Sequence, residues 1–211
     1  MRKIFQLILA ACIIALIYVV YLQISKPIKF EEECAQTEAL VIERIQNIRS
    51  AQRSYKSVNQ RFTADFDTLI QFVLNDSLKM ERKIYDEDDS VGMAILKRDK
   101  RKNVEEFYVP VIDTVFSPRK LTPEQVLNLR YIPGCEGEQE YLLQAGVITT
   151  ESKVVIPVVE CRAPYIFYLD TVAYRQEIVN LTDNAINNFN RYPGIKFGSM
   201  EVGNNEAGNW E

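Results

Sequence analysis

The chain has 211 residues, of which 47% are hydrophobic and 26% charged, and its formal net charge at pH 7 is −4. This composition is typical of one folded domain, and the acidic balance predicts no nucleic-acid partner. The sequence contains no histidine, which excludes Ser-His-Asp and Cys-His nucleophilic sites and removes the ligand on which most catalytic zinc sites depend. We therefore expect neither enzymatic activity nor a metal or other cofactor.

Residues 4–22 form an almost continuous apolar run, IFQLILAACIIALIYVVYL. As a helix rising about 1.5 Å per residue, the run is long enough to cross a hydrocarbon core of about 30 Å. Arg2 and Lys3 precede it, and positive charge on a short flank favours retention of that flank in the cytoplasm. The run therefore predicts the signal anchor of a single-pass bacterial inner-membrane protein, with residues 1–3 in the cytoplasm and the C-terminal domain in the periplasm.

Two other interpretations of the apolar run stay open. A cleavable signal peptide has a shorter apolar region followed by small residues, whereas this run ends in Tyr18-Val19-Val20-Tyr21. The stretch Leu9-Ala10-Ala11-Cys12 matches a lipoprotein lipobox, but the residues after it stay apolar. A lipidated protein would then begin with half of a membrane helix, so a spanning helix accounts best for the whole run.

The stem, residues 23–62, is predicted to be a long helix with an amphipathic pattern. Uncharged residues recur in alternating steps of four and three and so line one helical face. This stem stripe consists of Val41, Ile45, Ile48, Gln52, Tyr55 and Asn59. Either it packs against the chain's own sheet, or it forms a coiled coil in which Gln52 and Asn59 set the register. The second interpretation makes the stripe a candidate surface for a homo-oligomer or an envelope protein complex.

The segment RIQNIRSAQRSYKSVNQRFTADFDTLIQFV resembles the N-terminal half of type IV pilins and of the pseudopilins of type II secretion. The resemblance covers about residues 40–75, and the matching positions are Ala51, Tyr55, Phe62, Asp67 and Leu69. It implies a long spine helix that carries a globular head and serves assembly. The chain has no Gly-Phe-x-x-x-Glu near Ile4, so the peptidase processing of that family is not implied, and Pro27 is expected to break the spine.

The head, residues 63–211, begins with a predicted short helix. Thr63 or Asp65 can cap this helix, and its apolar face would consist of Phe66, Leu69, Ile70 and Val73. Further along, alternating apolar residues predict strands over 82–85, 91–97 and 105–116. The acidic turn 86–90 lacks the spacing of a calcium loop.

The second half of the head gives clearer local signals. Thr122-Pro123-Glu124-Gln125 is a capping box and predicts a helix over 123–129. Residues 141–150 and 153–161 predict a hairpin, and Pro157 is typical of an edge strand. A helix is predicted over 174–189 and a last strand within 195–202, and Trp210 is expected to pack over the domain.

Cys135 and Cys161 are the predicted disulfide pair. Both fall in the C-terminal half of the chain, and an oxidising compartment favours a bridge. Cys34 is left over, either as a thiol or as a bridge to a second copy of the chain.

Five Asp residues are each followed by Ser or Thr and then an aliphatic residue: Asp67, Asp76, Asp89, Asp113 and Asp170. In Bacteroidetes this tripeptide resembles the acceptor of periplasmic O-glycosylation, and Ser77, Ser90 and Thr171 are the candidate sites. The alternative is that Asp-Ser and Asp-Thr cap turns and helices. The segments RYIPG, YPGIKFGS and NNEAGNW also resemble a group of single-pass proteins of Bacteroidetes, which brings no known activity with it.

The expected fold is α+β: a transmembrane helix, a helical stem, and a mostly antiparallel sheet with two or three packed helices. The first hypothesis is a non-enzymatic structural or assembly protein that acts through its stem and a sheet edge. The second is an extracytoplasmic ligand-binding or sensing domain that acts through a membrane partner. A deep pocket would favour the second hypothesis, with the lining Tyr165, Phe167, Tyr168 and Tyr174. A histidine-free hydrolase would need two convergent carboxylates, and the sequence marks out no such pair.

Overall fold

The computed structural model describes residues 2–86, 88–100, 102–117, 119–135 and 139–211. In these ranges the α-helices are α1 (Arg2–Asn59), α2 (Phe66–Asn75), α3 (Ser90–Asp99), α4 (Val111–Val115), α5 (Pro123–Leu127), α6 (Tyr165–Tyr168) and α7 (Arg175–Asp183). A 3-10 helix, Asn128–Arg130, follows α5, and a π-helix, Asn184–Asn188, continues α7. The strands are β1 (Ser77–Arg82), β2 (Glu105–Pro110), β3 (Leu142–Thr149), β4 (Val155–Pro164) and β5 (Gly194–Gly198). Strands β1 and β2 form an antiparallel ribbon, and β3-β4-β5 form an antiparallel sheet. The predicted α+β class is confirmed.

Helix α1 is continuous over 58 residues, and its two halves have opposite environments. The side chains described between residues 4 and 24 are exposed, and among the described residues α1 is the one helix long and apolar enough to cross a membrane. Pro27 lies inside the helix without ending it, so the prediction that Pro27 breaks the spine is wrong. A proline removes one intrahelical hydrogen bond, and the helix continues on both sides of that gap.

The stem stripe is buried against the chain's own head. Five of its six members are buried: Val41, Ile45, Ile48, Gln52 and Tyr55. The four apolar members belong to one core cluster together with Phe72 of α2, Val159 of β4 and Phe197 of β5. The coiled-coil interpretation is therefore corrected to internal packing, and only Asn59 at the helix end stays exposed. A coiled coil and a helix on a sheet both need apolar residues three and four apart, so spacing alone did not separate them.

The predicted hairpin is confirmed as β3-β4, and β4 is the central strand of the sheet. Of β4, only the second half, Glu160–Pro164, pairs with β5. Pro157 pairs with Val147 of β3 in the first half, where β4 has a neighbour on one side only. The edge prediction from Pro157 is thus wrong for the whole strand, although the proline lies where β4 needs no second partner.

The three strands of this sheet run along the stem. At its start, β5 lies beside the stem at Glu38 and Ile42, with which Ile195 lines a cavity. Just past its end, Ser199 lines another cavity with Lys56. Strand β5 therefore runs away from the apolar half of α1, and β3 runs in the same direction because each is antiparallel to β4.

The C-terminal tail folds back over the stem and the edge of β5. Glu206 is buried, and its carboxylate lies 3.0 Å from Arg53 Nε and 3.6 Å from Lys56 Nζ. The Arg49 guanidinium lies 5.5 Å from the centre of the Trp210 ring, and Asn209 N–H donates to the Lys196 carbonyl of β5. The expectation that Trp210 packs over the domain is confirmed.

The three strands predicted between residues 82 and 116 are all wrong in part or in whole. Residues 91–97 belong to α3, because the Asp89 side chain accepts hydrogen bonds from Val91 N–H and Gly92 N–H and so caps a helix. Residues 105–116 divide into β2 and α4. The region 82–85 contributes only the last residue of β1. The predicted helices agree with the structure more closely than the predicted strands, since α2, α5 and α7 all lie where predicted.

We predict that Gln52→Ala lowers the free energy of unfolding by about 2 kcal/mol, because it removes a buried amide and leaves the half-buried backbone N–H and C=O of Thr63 without their side-chain partner. The Gln52 side chain donates to the Thr63 carbonyl (2.7 Å) and accepts from Thr63 N–H (3.2 Å), which ties the turn after α1 to the stem. Urea unfolding of the full chain in a neutral detergent measures the change. The matched control is Gln71→Ala on the exposed side of α2, expected to stay within about 0.5 kcal/mol. Equal losses of unfolding free energy in both variants would contradict a stabilising role of the Gln52–Thr63 hydrogen bonds.

Candidate functional site

The basal cavity is a pocket of about 570 Å³ at the end of the head nearest the apolar half of α1. This volume lies within the range of small-molecule sites. One wall comes from α1, with Phe30, Glu33, Cys34 and Thr37. The opposite wall comes from residues 166–171 and Tyr174, and the segment before β3 contributes Gly134, Cys135 and Gln139.

The position of the basal cavity follows from how α7 docks on the stem. The rings of Tyr174 and Phe30 lie 5.2 Å apart, and Ile178 packs with Phe30 and Cys34. One turn later, Leu181 lines a cavity with Glu38. Helix α7 therefore runs alongside α1, and the turn that precedes it lies at the base of the head. Phe30 is eight residues beyond Leu22, a helical rise of about 12 Å.

The turn that forms the outer wall is shaped by Asp170. Its carboxylate accepts hydrogen bonds from Val172 N–H (2.8 Å) and Ala173 N–H (3.0 Å). These bonds lower the pKa of Asp170, because they favour the charged carboxylate. Asp170 is thus an anion at neutral pH on the rim of the cavity.

A half-buried carboxyl group, Glu38, lies behind the inner wall. The Tyr168 hydroxyl (3.5 Å) and the Cys34 thiol (3.7 Å) both donate to Glu38 Oε1. Burial raises the pKa of Glu38 above its ordinary value, although both hydrogen bonds oppose the shift. Burial and the neighbouring Glu38 raise the pKa of Cys34 to about 12. Cys34 is therefore a protonated, unreactive thiol at neutral pH.

The rim carries negative charge. Partial desolvation and the neighbouring Glu33 carboxylate raise the pKa of Tyr174. Among the described residues that line the cavity there is no Lys or Arg. Glu33 and Asp170 on the lining, with Glu38 behind it, give the cavity an environment that favours positive charge.

Three of the four aromatic residues predicted for a pocket line the basal cavity: Phe167, Tyr168 and Tyr174. The fourth, Tyr165, packs edge-on against Tyr168 at 6.0 Å and lines a separate cavity. Sequence reasoning missed Phe30 and Glu33, which lie more than 130 residues earlier in the chain. The available signal was the Phe30 and Cys34 pair, spaced four apart on one helical face.

The three cysteines of the stem and head are thiols in different environments. Cys34 is buried beside Ile178, so a bridge from Cys34 to a second copy would require the head to open. Cys161 is a fully buried thiol of the core, and the Cys135 thiol donates to the Phe167 carbonyl at 2.6 Å. The predicted bridge between Cys135 and Cys161 is not present in this structure and stays a prediction for the oxidised protein.

The three candidate glycosylation residues, Ser77, Ser90 and Thr171, are exposed. The capping alternative also describes part of the motif, because Asp89 caps α3 and Asp170 caps the cavity turn. Both interpretations of the tripeptide therefore stay open.

No family model, curated protein or solved structure matches this chain. Within the described ranges, no group of Cys, Asp and Glu side chains is arranged to hold a metal ion.

We predict that Glu38→Gln removes a stability loss that the native protein suffers as pH rises. The pKa of Glu38 is raised in the folded state, so the folded chain holds this proton in a pH window where the unfolded chain has lost it. The loss of folding stability caused by ionising Glu38 is absent below the ordinary pKa of a glutamic acid. It grows as pH rises above that pKa and is complete above the raised pKa of the folded state. The difference in melting temperature between Glu38→Gln and the native chain should therefore increase in favour of the variant over that window.

The matched control for this measurement is Glu32→Gln, an exposed carboxylate on the same helix. Its melting temperature should follow that of the native chain at every pH. A Glu38→Gln curve parallel to the native one would contradict the raised pKa.

Proposed function

We propose that this chain is a non-enzymatic structural or assembly protein, anchored by one helix in the bacterial inner membrane. Residues 1–3 lie in the cytoplasm, and the head, pilin-like in shape, lies in the periplasm. The observation that carries the proposal is the single helix α1, whose first half is apolar and exposed and whose second half is the core of the head.

The exposed half of α1 needs an apolar surrounding. Among its described side chains, Ile13, Ile14, Leu16 and Ile17 are each half or more exposed within the chain. Apolar surface in water costs about 25 cal/mol per Å², so a row of such side chains is strongly unfavourable in solution. A bilayer supplies the missing contacts without any further protein.

Anchor and head share one rigid element. Because the stem stripe is part of the core, the head cannot rotate about the stem without unfolding. The orientation of the head is therefore set by the orientation of α1 in the membrane. A protein built in this way is suited to present a surface at a fixed height and direction.

The outer edge of β3 is the surface best suited to assembly. Its sequence LLQAGVIT has no charged residue and no proline, whereas exposed edges are usually protected by charge, proline or a covering segment. The opposite edge, β5, is covered by the tail through Gly198 N–H and Asn209 N–H. An unprotected strand of eight residues favours strand addition by a partner.

The partner strand should belong to another protein. Strand β3 runs along the stem, away from the anchor, and copies in one membrane carry it in the same direction. A two-fold pair of identical edge strands is antiparallel, which would place the anchor of the second copy at the far end of the head. This geometry favours a second envelope protein over a copy of this chain.

A second candidate function is an extracytoplasmic ligand-binding domain that acts through a membrane partner. The basal cavity favours it, because three of the four predicted aromatic residues line a pocket of ligand size.

We predict that a photo-crosslinking amino acid at Gln144 on β3 captures a different envelope protein in native membranes. The matched control is the same amino acid at Val179, which is exposed on α7 away from the sheet edge. Gel analysis with mass spectrometry should show a hetero-adduct at Gln144 and little at Val179. An adduct between two copies of the chain, or equal yields at both positions, would contradict assembly through β3.

A further inference from the structure

We propose that the basal cavity binds an organic cation, a primary ammonium group on a short apolar stem. This inference rests on the second candidate function, that the head binds a ligand. It adds the charge and chemical class of that ligand.

The sign of the charge follows from the groups around the cavity. Glu33 and Asp170 belong to its lining, and Glu38 lies behind Tyr168 and Cys34. These carboxylates also raise the pKa of neighbouring acids, since Glu38 acts on Tyr168 and Glu33 on Tyr174. A cation placed between Glu33 and Asp170 would find attraction from both without a competing lysine or arginine on the described lining.

Aromatic rings supply the second element of cation recognition. Phe30 and Tyr174 form a tilted pair with ring centres 5.2 Å apart, and both line the cavity. Aromatic faces attract ammonium groups, most strongly when the groups are shielded from water. Glu33 lines the same cavity and is close enough to Tyr174 to raise the pKa of its hydroxyl, so a carboxylate and a ring that can bind a cation are neighbours.

The remaining lining suits an alkyl chain. Ile166, Phe167 and Leu169 lie along the opposite wall. Ile166 is 59% exposed, so part of its apolar surface is available to a ligand. The cavity volume of about 570 Å³ fits a small amphiphile.

The ammonium group has two sources near this cavity. Phe30 lies about 12 Å beyond Leu22 along the helix, and the headgroup layer is about 5–8 Å thick on each side of the hydrocarbon core. The layer thus ends about 4–7 Å below Phe30 along the helix, and an ethanolamine headgroup of the adjacent leaflet reaches the cavity by extending over that distance. A soluble amine carries the same group and can enter from the periplasm.

Calorimetry on the full chain in an uncharged maltoside detergent tests the inference with three probes of equal length: hexylamine, hexanol and hexanoate. Hexylamine is protonated at pH 7, and we expect it to bind about tenfold more tightly than hexanol, with hexanoate weakest. The double variant Glu33→Gln and Asp170→Asn should lose about tenfold in hexylamine affinity, since Asn still caps the turn. The matched control is Glu32→Gln, next to Glu33 on α1 but outside the lining, with an expected change below about twofold.

Equal affinity for hexylamine and hexanol, or tighter binding of hexanoate, would overturn cation recognition while keeping the cavity as a ligand site. No binding of any probe would overturn both the inference and the second candidate function. In nanodiscs, phosphatidylethanolamine should compete with hexylamine if the lipid is the source, and phosphatidylglycerol should not. Hexylamine binding without such competition assigns the site to a soluble amine.

Discussion

The structure depends on one helix, α1, whose first half is suited to lipid and whose second half is the core of a folded domain. The first half of α1 exposes apolar side chains all round, as a helix in lipid does, while the second half buries a single stripe under a sheet. The stripe includes Gln52, which is buried and whose amide donates one hydrogen bond to Thr63 and accepts another from it, so this polar side chain is part of the interior. Since no joint separates the halves, the packing of the head and the placement of the anchor are one constraint.

Both candidate surfaces are consequences of that constraint. The sheet lies along the stem, so its free edge, β3, has a fixed direction relative to the anchor. The basal cavity forms where α7 and the turn at Asp170 meet the stem below the sheet. A partner strand at β3 and an ammonium ligand at Glu33 would therefore contact the same rigid body at different heights.

Local signals predicted the elements that are fixed by adjacent residues. Asp65 and Thr122 cap α2 and α5 where expected, because a cap is a contact within three residues. The segment 91–97 is a helix where a strand is predicted, because a short apolar run has no clear period. The side chain of Asp89 caps the first turn and so favours the helix. The basal cavity was predicted on one wall only, since Phe30 and Tyr174 are brought together by the docking of α7. The choice between a coiled coil and internal packing likewise depended on contacts between Ile45 and a sheet more than 100 residues away.

The placement of the head outside the membrane is tested most directly by labelling a cysteine at the hairpin tip, Ser152→Cys, with a membrane-impermeant maleimide. The tip is exposed, and the native chain gives the background from its own cysteines. If the head lies in the periplasm, Ser152→Cys in intact spheroplasts should be labelled above that background, and to the same extent as after lysis. Labelling that appears only after lysis would place the head in the cytoplasm and contradict the proposed orientation of α1 in the membrane.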